Sequence, residues 1–440
     1  MVKYLSILDF LEDGSNVDVI YIDFAKAFDK VDHQVTLTKL SKLGITGKVG
    51  RWIHSFLTNR TQQVLVHGSR SSERQVKSGV PQGSVLGPLL FLILIGDIDQ
   101  DIVGAFISSF ADDTRIGSKI TSPEDAKALQ SELDKIYQWT KNNNMELNGD
   151  KFECLRYGPN RQLQSDTQYT SNTGTLIQQK DRVKDLGVTM DRDGSFKAHI
   201  ETAVTSAYKQ TGWVLRTFNT REPLPMLTLW KSLIQCRLDY CSQLWSPTEK
   251  GIIQSIEKCQ RDFLRRITGM NELTYWDQLK QLRLYSQERR RERYMIIYTW
   301  RILEGLVPNI TSADGSSSKI SSKLHNRRGR ECIVPKTSKS SPTSIQKLQY
   351  ASLAIHGQKL FNCLPREIRN TTCCKVETFK AALDRFLKCI PDEPQIPGYT
   401  AQRRADSNSL LDMIPHARPQ VEAPVNTDGR GCVANVARVP

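Results

Sequence analysis

The chain has 440 residues, 39% of them hydrophobic, and carries 61 Lys and Arg against 47 Asp and Glu, for a formal charge of +14 and a pI near 9.3. That length supports two or three domains with cores of their own, and the positive balance favours a polyanionic partner, nucleic acid first. The longest apolar run, Val85 to Ile95, is too short for a bilayer and holds Gly87 and Pro88; Asp9, Glu12 and Asp13 interrupt any leader pattern; ten cysteines without a Cys-x-x-Cys predict reduced thiols. These features argue against a membrane protein, a secreted disulfide scaffold and a zinc ribbon, and point to the cytoplasm or nucleus.

In chain order, Val17 to Ile22 reads as a strand that delivers Asp23 at its end. Gln63–Val66 and Arg74–Lys77 flank His67-Gly68-Ser69-Arg70 as a hairpin. Ser78 to Phe91 is a Pro- and Gly-rich turn feeding an apolar helix. There Gly79 and Gly83 let the backbone approach a flat ligand, Pro81 stiffens the turn and Gln82 offers an amide; a plain helix-initiating loop with Ser84 as N-cap fits the same residues. Val103–Ser109 and Arg115–Ser118 form a second hairpin with Asp112 and Asp113 at its tip. Ser122 caps a helix that opens on Pro123, with Glu124 and Asp125 in its first turn and Leu129, Leu133 and Ile136 on one face. The fold class is therefore α+β, with a βαββ arrangement over residues 1–190.

From Phe196 to Leu306 the pattern is helical and rich in arginine, with Trp213, Trp230, Trp245, Trp276 and Trp300 expected as helix-packing core. Gln287 to Tyr294 concentrates Arg289, Arg290, Arg291 and Arg293, which suit phosphate contact, or equally a solvated face balanced by Glu288 and Glu292. The expected divisions are 1–190, a helical region over 191–306, a flexible basic linker over 307–344, a small helical segment over 345–390 and a disordered tail over 391–440.

Two carboxylate sites brought together, Asp23 and the Asp112-Asp113 pair, are what a two-metal phosphoryl-transfer centre needs, since paired ions activate an attacking hydroxyl and stabilise the leaving group. On its own, an Asp-Asp pair is far more readily a solvated turn.

Taken in order, three segments resemble the reverse-transcriptase domain of non-LTR (LINE-type) retrotransposons, most closely the jockey-like group: Tyr21 to His33 as motif A, Ser78 to Phe91 as motif B and Phe110 to Thr114 as motif C. Met145 to Lys151 looks like motif D, Val183 to Val188 like the primer-grip strand, and Arg237 to Cys241 and Leu360 to Pro365 like stretches that follow the domain in that group. The resemblance implies a polymerase palm followed by a mainly helical thumb, two Mg²⁺ ions with Mn²⁺ as an alternative, an RNA template, a DNA primer and dNTPs. It casts Asp23 and Asp112 as the main metal ligands, Asp113 as an accessory acid and the Phe24 carbonyl as a further ligand. Phe28 becomes the sugar gate, Gln82 and Gly83 nucleotide contacts and Lys151 the acid for the leaving pyrophosphate. Outside the motif, Phe28 fits a core aromatic and Lys151 a surface lysine.

Departures accompany the match. Only residues 1–22 precede Asp23, so the fingers region that clamps the triphosphate, and the endonuclease before it, are expected to be missing. Leu94 and Gly96 stand where the family has Tyr and Asn, and Gly inside a helix costs about 1 kcal/mol against Ala. Two other readings follow: a catalytically inactive remnant that at most binds nucleic acid, and a different palm nucleotidyltransferase of the group-II-intron or telomerase kind, which the jockey-like C-terminal stretches disfavour.

Overall fold

Asn16–Ile22 (β1) buries six of its seven residues, and its period-2 alternation feeds two different cores. Val17 and Val19 join one cluster while Ile20 and Ile22 join the other, so the strand is apolar on both faces, as a strand covered on both sides must be. This computed structural model describes residues 2–310, 318–338, 341–394 and 407–417.

Before β1 lies α1 (Val2–Glu12). After it come α2 (His33–Lys42), α3 (Gly47–Leu57), the short strands β2 (Arg60–Gln62), β3 (Leu65–Val66), β4 (Ser69–Arg70) and β5 (Arg74–Val76), and then α4 (Leu86–Ile95). Next are β6 (Phe106–Phe110), β7 (Asp113–Ile120), α5 (Pro123–Asn142), β8 (Glu153–Tyr157), α6 (Arg161–Asp166) and β9 (Gln178–Lys180). The sheet order is β6-β7-β1-β8-β9, antiparallel except between β8 and β9. The expected βαββ unit is present as β1-α4-β6-β7, and α5 and β8 extend it to a split β-α-β sheet. One face packs against α4 and α5 through Ile116, Phe91, Leu94, Leu129, Leu133 and Ile136. The start of α5 is the expected one: Ser122 Oγ accepts the Asp125 N–H, the Asp125 carboxylate accepts the Ser122 N–H, and Pro123 is the first residue.

Two local expectations change. Arg60–Gln62 pairs with Arg74–Val76, and Leu65–Val66 pairs with Ser69–Arg70, so the hairpin register differs from the 63–66 with 74–77 pairing. Residues 61–70 are all exposed, so no buried face fixes that register and the turn decides it, with His67 at φ 47° and Gly68 at φ 83°. Gly96 lies at the C-cap of α4, outside the helix interior, and avoids the cost anticipated for it.

The opposite face of the sheet meets a helical region. It begins with the hairpin β10 (Arg182–Asp185) and β11 (Val188–Asp191) and α7 (Lys197–Thr217), and continues through α8 (Pro223–Leu229), α9 (Gln235–Asp239), α10 (Ser242–Trp245), α11 (Lys250–Leu264), α12 (Tyr275–Leu282) and α13 (Gln287–Leu303). Trp230, Trp245 and Trp300 are buried in its core as expected, whereas Trp213 is 45% exposed. The stretch read as a flexible linker holds a hairpin, β12 (Ser322–His325) with β13 (Gly329–Cys332), because Arg330 pairs with Glu304 and Arg369 with Glu331. Residues 311–317 and 339–340 of that stretch lie outside the described residues.

Helices α14 (Thr343–Ala351), α15 (Gln358–Cys363), α16 (Arg366–Arg369) and α17 (Val376–Leu387) complete the same core, with Leu360, Phe361 and Leu364 buried. Of the expected disordered tail, 395–406 and 418–440 fall outside the described residues, while Leu410–Ala417 forms a helix, α18. Leu410 is buried there and its N–H donates to the buried Glu292 carboxylate at 2.8 Å.

Candidate active site

The β1–β7 register pairs Ile22 with Thr114, which sets Asp23, one residue beyond, opposite Asp113. Asp112 sits in the two-residue loop closed by the Phe110 and Asp113 pair, preceded by Ala111 at φ 52°. A non-glycine residue in that left-handed region costs roughly 1 kcal/mol or more, and the flanking sheet holds it there. Behind Asp23, the Asn148 N–H donates to the Asp23 carbonyl and the Ala25 N–H to the Glu146 carbonyl, both at 2.9 Å. This bridge between Phe24 and Leu147 uses neither polar group of Phe24, so its carbonyl oxygen is left out of the ladder.

Burial raises the Asp113 carboxyl above its ordinary value, and the charges of Asp112 and Asp23 add to the effect, which places all three carboxylates in one field. Lys151 Nζ stands 3.4 Å from Asp23 Oδ2, an exposed pair of modest strength. Asp23, Phe110, Asp113, Lys151 and Glu153 line one side of an open cleft, and Val183 to Leu186 of β10 and its turn line the other. Among the described residues no three His, Cys, Asp or Glu side chains are gathered closely enough to hold an ion between them. The donor chemistry nevertheless suits a hard divalent cation, being all oxygen from aspartates and a free carbonyl, with mutually repelling charges that a cation would relieve.

The turn of motif B is bolted onto motif A. The Gly79 N–H donates to the Val31 carbonyl at 2.8 Å, the Val80 N–H to the Phe28 carbonyl at 3.0 Å and Ser78 Oγ to the Asp29 carbonyl at 2.9 Å. Gly79 has φ +85° and a Cβ there would lie 2.8 Å from the Asp29 carbonyl oxygen, so no other residue fits. Gln82 donates its amide to the Asp29 carboxylate at 2.8 Å, and Gly83, at φ +81°, faces open space. Phe28 is half-buried and stacks on Phe91 with ring centroids 4.6 Å apart. The N-cap of α4 is Val85, one residue after the expected Ser84, whose Oγ still accepts the Gly87 N–H at 3.0 Å.

Sequence reading missed the supports of this arrangement. His33 Nε2 and Arg60 both bond the Gly79 carbonyl at 2.8 Å, and Arg115 forms an ion pair with Asp185 across the cleft wall. A period-2 count from Asp113 marks Arg115 as sharing its strand face; nothing local marks Asp185 as its partner.

The arginine cluster is corrected. Arg289 and Arg291 are buried, at 0% and 2% exposure. Arg290 makes a two-oxygen pair with Asp239 at 2.8–3.0 Å, and Arg293 Nη2 reaches Asp384 at 2.7 Å. These side chains face inward because carboxylates from α9, α11, α13 and α17 converge on α13, and a guanidinium withdrawn from water needs such partners. They form neither a phosphate-binding face nor a solvated one.

The same network carries a pH dependence. Burial, then the charge of Glu292, pushes the Glu288 carboxyl up to about 8; Glu257 and Asp392 add to the rise and Arg291 opposes it. The folded state then keeps a proton that the unfolded chain loses in the ordinary carboxylate range, so stability falls as pH rises toward and through that value. Glu288→Gln should flatten this decline, raising the urea midpoint at about pH 9 and leaving it nearly unchanged at about pH 5. An equal shift at both pH values would show that Glu288 is already ionised in the fold.

A split β-α-β sheet that sets one aspartate opposite an acidic pair at a hairpin tip, beside a glycine turn pinned to the same loop, is consistent with a palm-type polymerase fold. Residues 8–190 match the family model of reverse transcriptase (RNA-dependent DNA polymerase). The RNA-directed DNA polymerase from mobile element jockey of Drosophila melanogaster is 31% identical over 274 residues, covering 60% of this chain and 29% of that protein. The probable RNA-directed DNA polymerase from transposon BS of the same organism is 27% identical over 310 residues, covering 67% and 34%. These matches make residues 8–190 similar to the reverse-transcriptase domains of jockey-like, non-LTR retrotransposons.

The chain spans 29–34% of the length of those curated relatives. Among solved structures, apo telomerase from Candida tropicalis aligns over 64% of this chain and 48% of its own at 10% identity, with a TM-score of 0.37, too loose a likeness to carry an argument. No helix among the described residues is long and apolar enough to cross a membrane.

Proposed function

We propose that this chain catalyses RNA-directed DNA synthesis, adding dNTPs to the 3′-hydroxyl of a DNA primer on an RNA template. The observation that carries this reading is the β1–β7 register, which sets Asp23 against Asp113 with Asp112 beside it. Asp23, Asp112 and the Phe24 carbonyl would hold two Mg²⁺ ions, or Mn²⁺, with Asp113 as accessory acid. When bound, such a pair activates the attacking hydroxyl and neutralises charge on the departing pyrophosphate. Lys151, which lines the cleft, would give that pyrophosphate a proton. Gln82 and Gly83 present an amide and an unhindered backbone beside motif A for the incoming nucleotide.

Phe28 is half-buried and stacked on Phe91, a suitable stop for a 2′-hydroxyl. Phe28→Ala should therefore raise ribonucleotide incorporation relative to dNTP by about 10- to 100-fold, and unchanged ratios would return Phe28 to the role of core aromatic. The reading as a whole is tested by primer extension on poly(rA)/oligo(dT) with purified chain, with and without Mg²⁺. Metal-dependent extension supports it, and a well-folded chain that shows none rejects it.

A further inference from the structure

The motif Arg237 to Cys241 has no part in the chemistry described so far, yet it reaches the catalytic cleft. Asp185 pairs with Val188 across a two-residue turn in which Leu186 has φ 45° and Gly187 φ 84°. Both central residues are thus left-handed, as in the tight hairpin turns that favour Asn-Gly, and leucine is a poor occupant of the first position. Something else holds the turn. Tyr240 Oη donates to the Leu186 carbonyl at 2.7 Å, and its ring lies so close that a Cβ at Gly187 would stand 3.3 Å from it.

Tyr240 can reach the turn because the chain leaves its helix there. Tyr240 is the C-cap of α9 with ψ 120°, Cys241 follows at φ 52°, and Trp245 Nε1 fixes the break by donating to the Tyr240 carbonyl at 2.7 Å. One residue earlier, the Asp239 carboxylate is gripped by Arg290 of α13. On the other side of the turn, Asp185 is tied by its ion pair to Arg115, two residues after Asp113 on β7. The turn is therefore held at one residue by the strand that carries Asp113 and at the next by the helical region, and Leu186 lines the same cleft as Phe110, Asp23 and Asp113.

We propose that Tyr240 is a positioning residue for the primer terminus: its hydroxyl keeps the Leu186-Gly187 turn in the conformation that sets the cleft wall, with Leu186 at its edge, against which the last primer nucleotide rests. This rests on the polymerase reading of the cleft. Tyr240 touches neither metal ligands nor nucleotide-facing residues, so its loss acts on the primer and spares the dNTP.

The test uses the full chain, a primer ending in 2-aminopurine and the variant Tyr240→Phe, which keeps the ring and removes only the hydrogen bond. The expected result is a rise of about five- to tenfold in KM for primer–template with KM for dNTP unchanged, together with a changed 2-aminopurine signal in the binary complex. Amide hydrogen exchange at residues 186–188 should also accelerate. Adding Leu186→Asn, a residue suited to left-handed φ, should restore that protection. Equal rises in both KM values, or an unchanged 2-aminopurine signal and unchanged exchange, would overturn the proposal. A wild-type chain that extends nothing, with Tyr240→Phe still altering the terminal signal and exchange, would reject the polymerase reading and leave the clamp supported.

Discussion

Asp23→Asn or Asp112→Asn should lower primer extension by about three orders of magnitude or more while leaving the urea midpoint close to wild type. Under the proposed function, each change removes a full negative charge from the place where phosphoryl transfer would be stabilised, and such electrostatic terms dominate the rate. Stability is spared because Asp23 borders an open cleft and Asp112 occupies a hairpin tip, so neither substitution opens a cavity or strands a buried partner. Loss of the Asp23 charge also releases Lys151, which is ion-paired with Asp23. Extension at wild-type rates by both variants would remove the catalytic assignment.

Arg291→Ala should produce the largest loss of stability among the arginine substitutions, about 3–5 kcal/mol by urea unfolding. Arg291 is 2% exposed, and the carboxylates of Glu257, Glu292 and Asp239 act on it. Glu257 is itself fully buried and accepts the Gln287 N–H at 3.0 Å, the Glu288 N–H at 3.3 Å and the Tyr275 hydroxyl. Removing the guanidinium leaves those carboxylates enclosed without their nearby cation, which costs more than the pair contributes when intact. Among molecules that remain folded, the dependence of RNA–DNA hybrid affinity on salt should not change, because Arg291 never meets phosphate. A flattened salt dependence with unaltered stability would put Arg291 back on a nucleic-acid surface.

The contrast between these two sites marks where sequence reading succeeds. Asp23, Asp112 and Asp113 were legible one by one because each placement is local: a strand ends at one and a hairpin turns at the others, and the pairing of β1 with β7 then brings them to one edge. Ser122 and Pro123 began their helix, and Leu129, Leu133 and Ile136 lined its buried face, for similarly local reasons. The arginines of α13 were not legible. Four cations in five positions look like a basic face until Asp239, Glu257 and Asp384 are seen to converge on them from other helices. The β12–β13 hairpin was missed in the same way, since its Ser- and Lys-rich sequence is linker-like and its hold comes from Glu304 and from Arg369.

The sequence by itself determined the elements that carry the chemistry, through alternation in β1, the glycines of the motif-B turn and the acidic hairpin tip, because backbone dihedrals, caps and turn preferences act over a few residues. Only the tertiary structure decided which charges meet solvent and which meet each other, and that Tyr240 would lie on the turn at Leu186. Desolvation and pairing depend on what the fold brings to a side chain from far along the chain, and no short window of residues contains that partner.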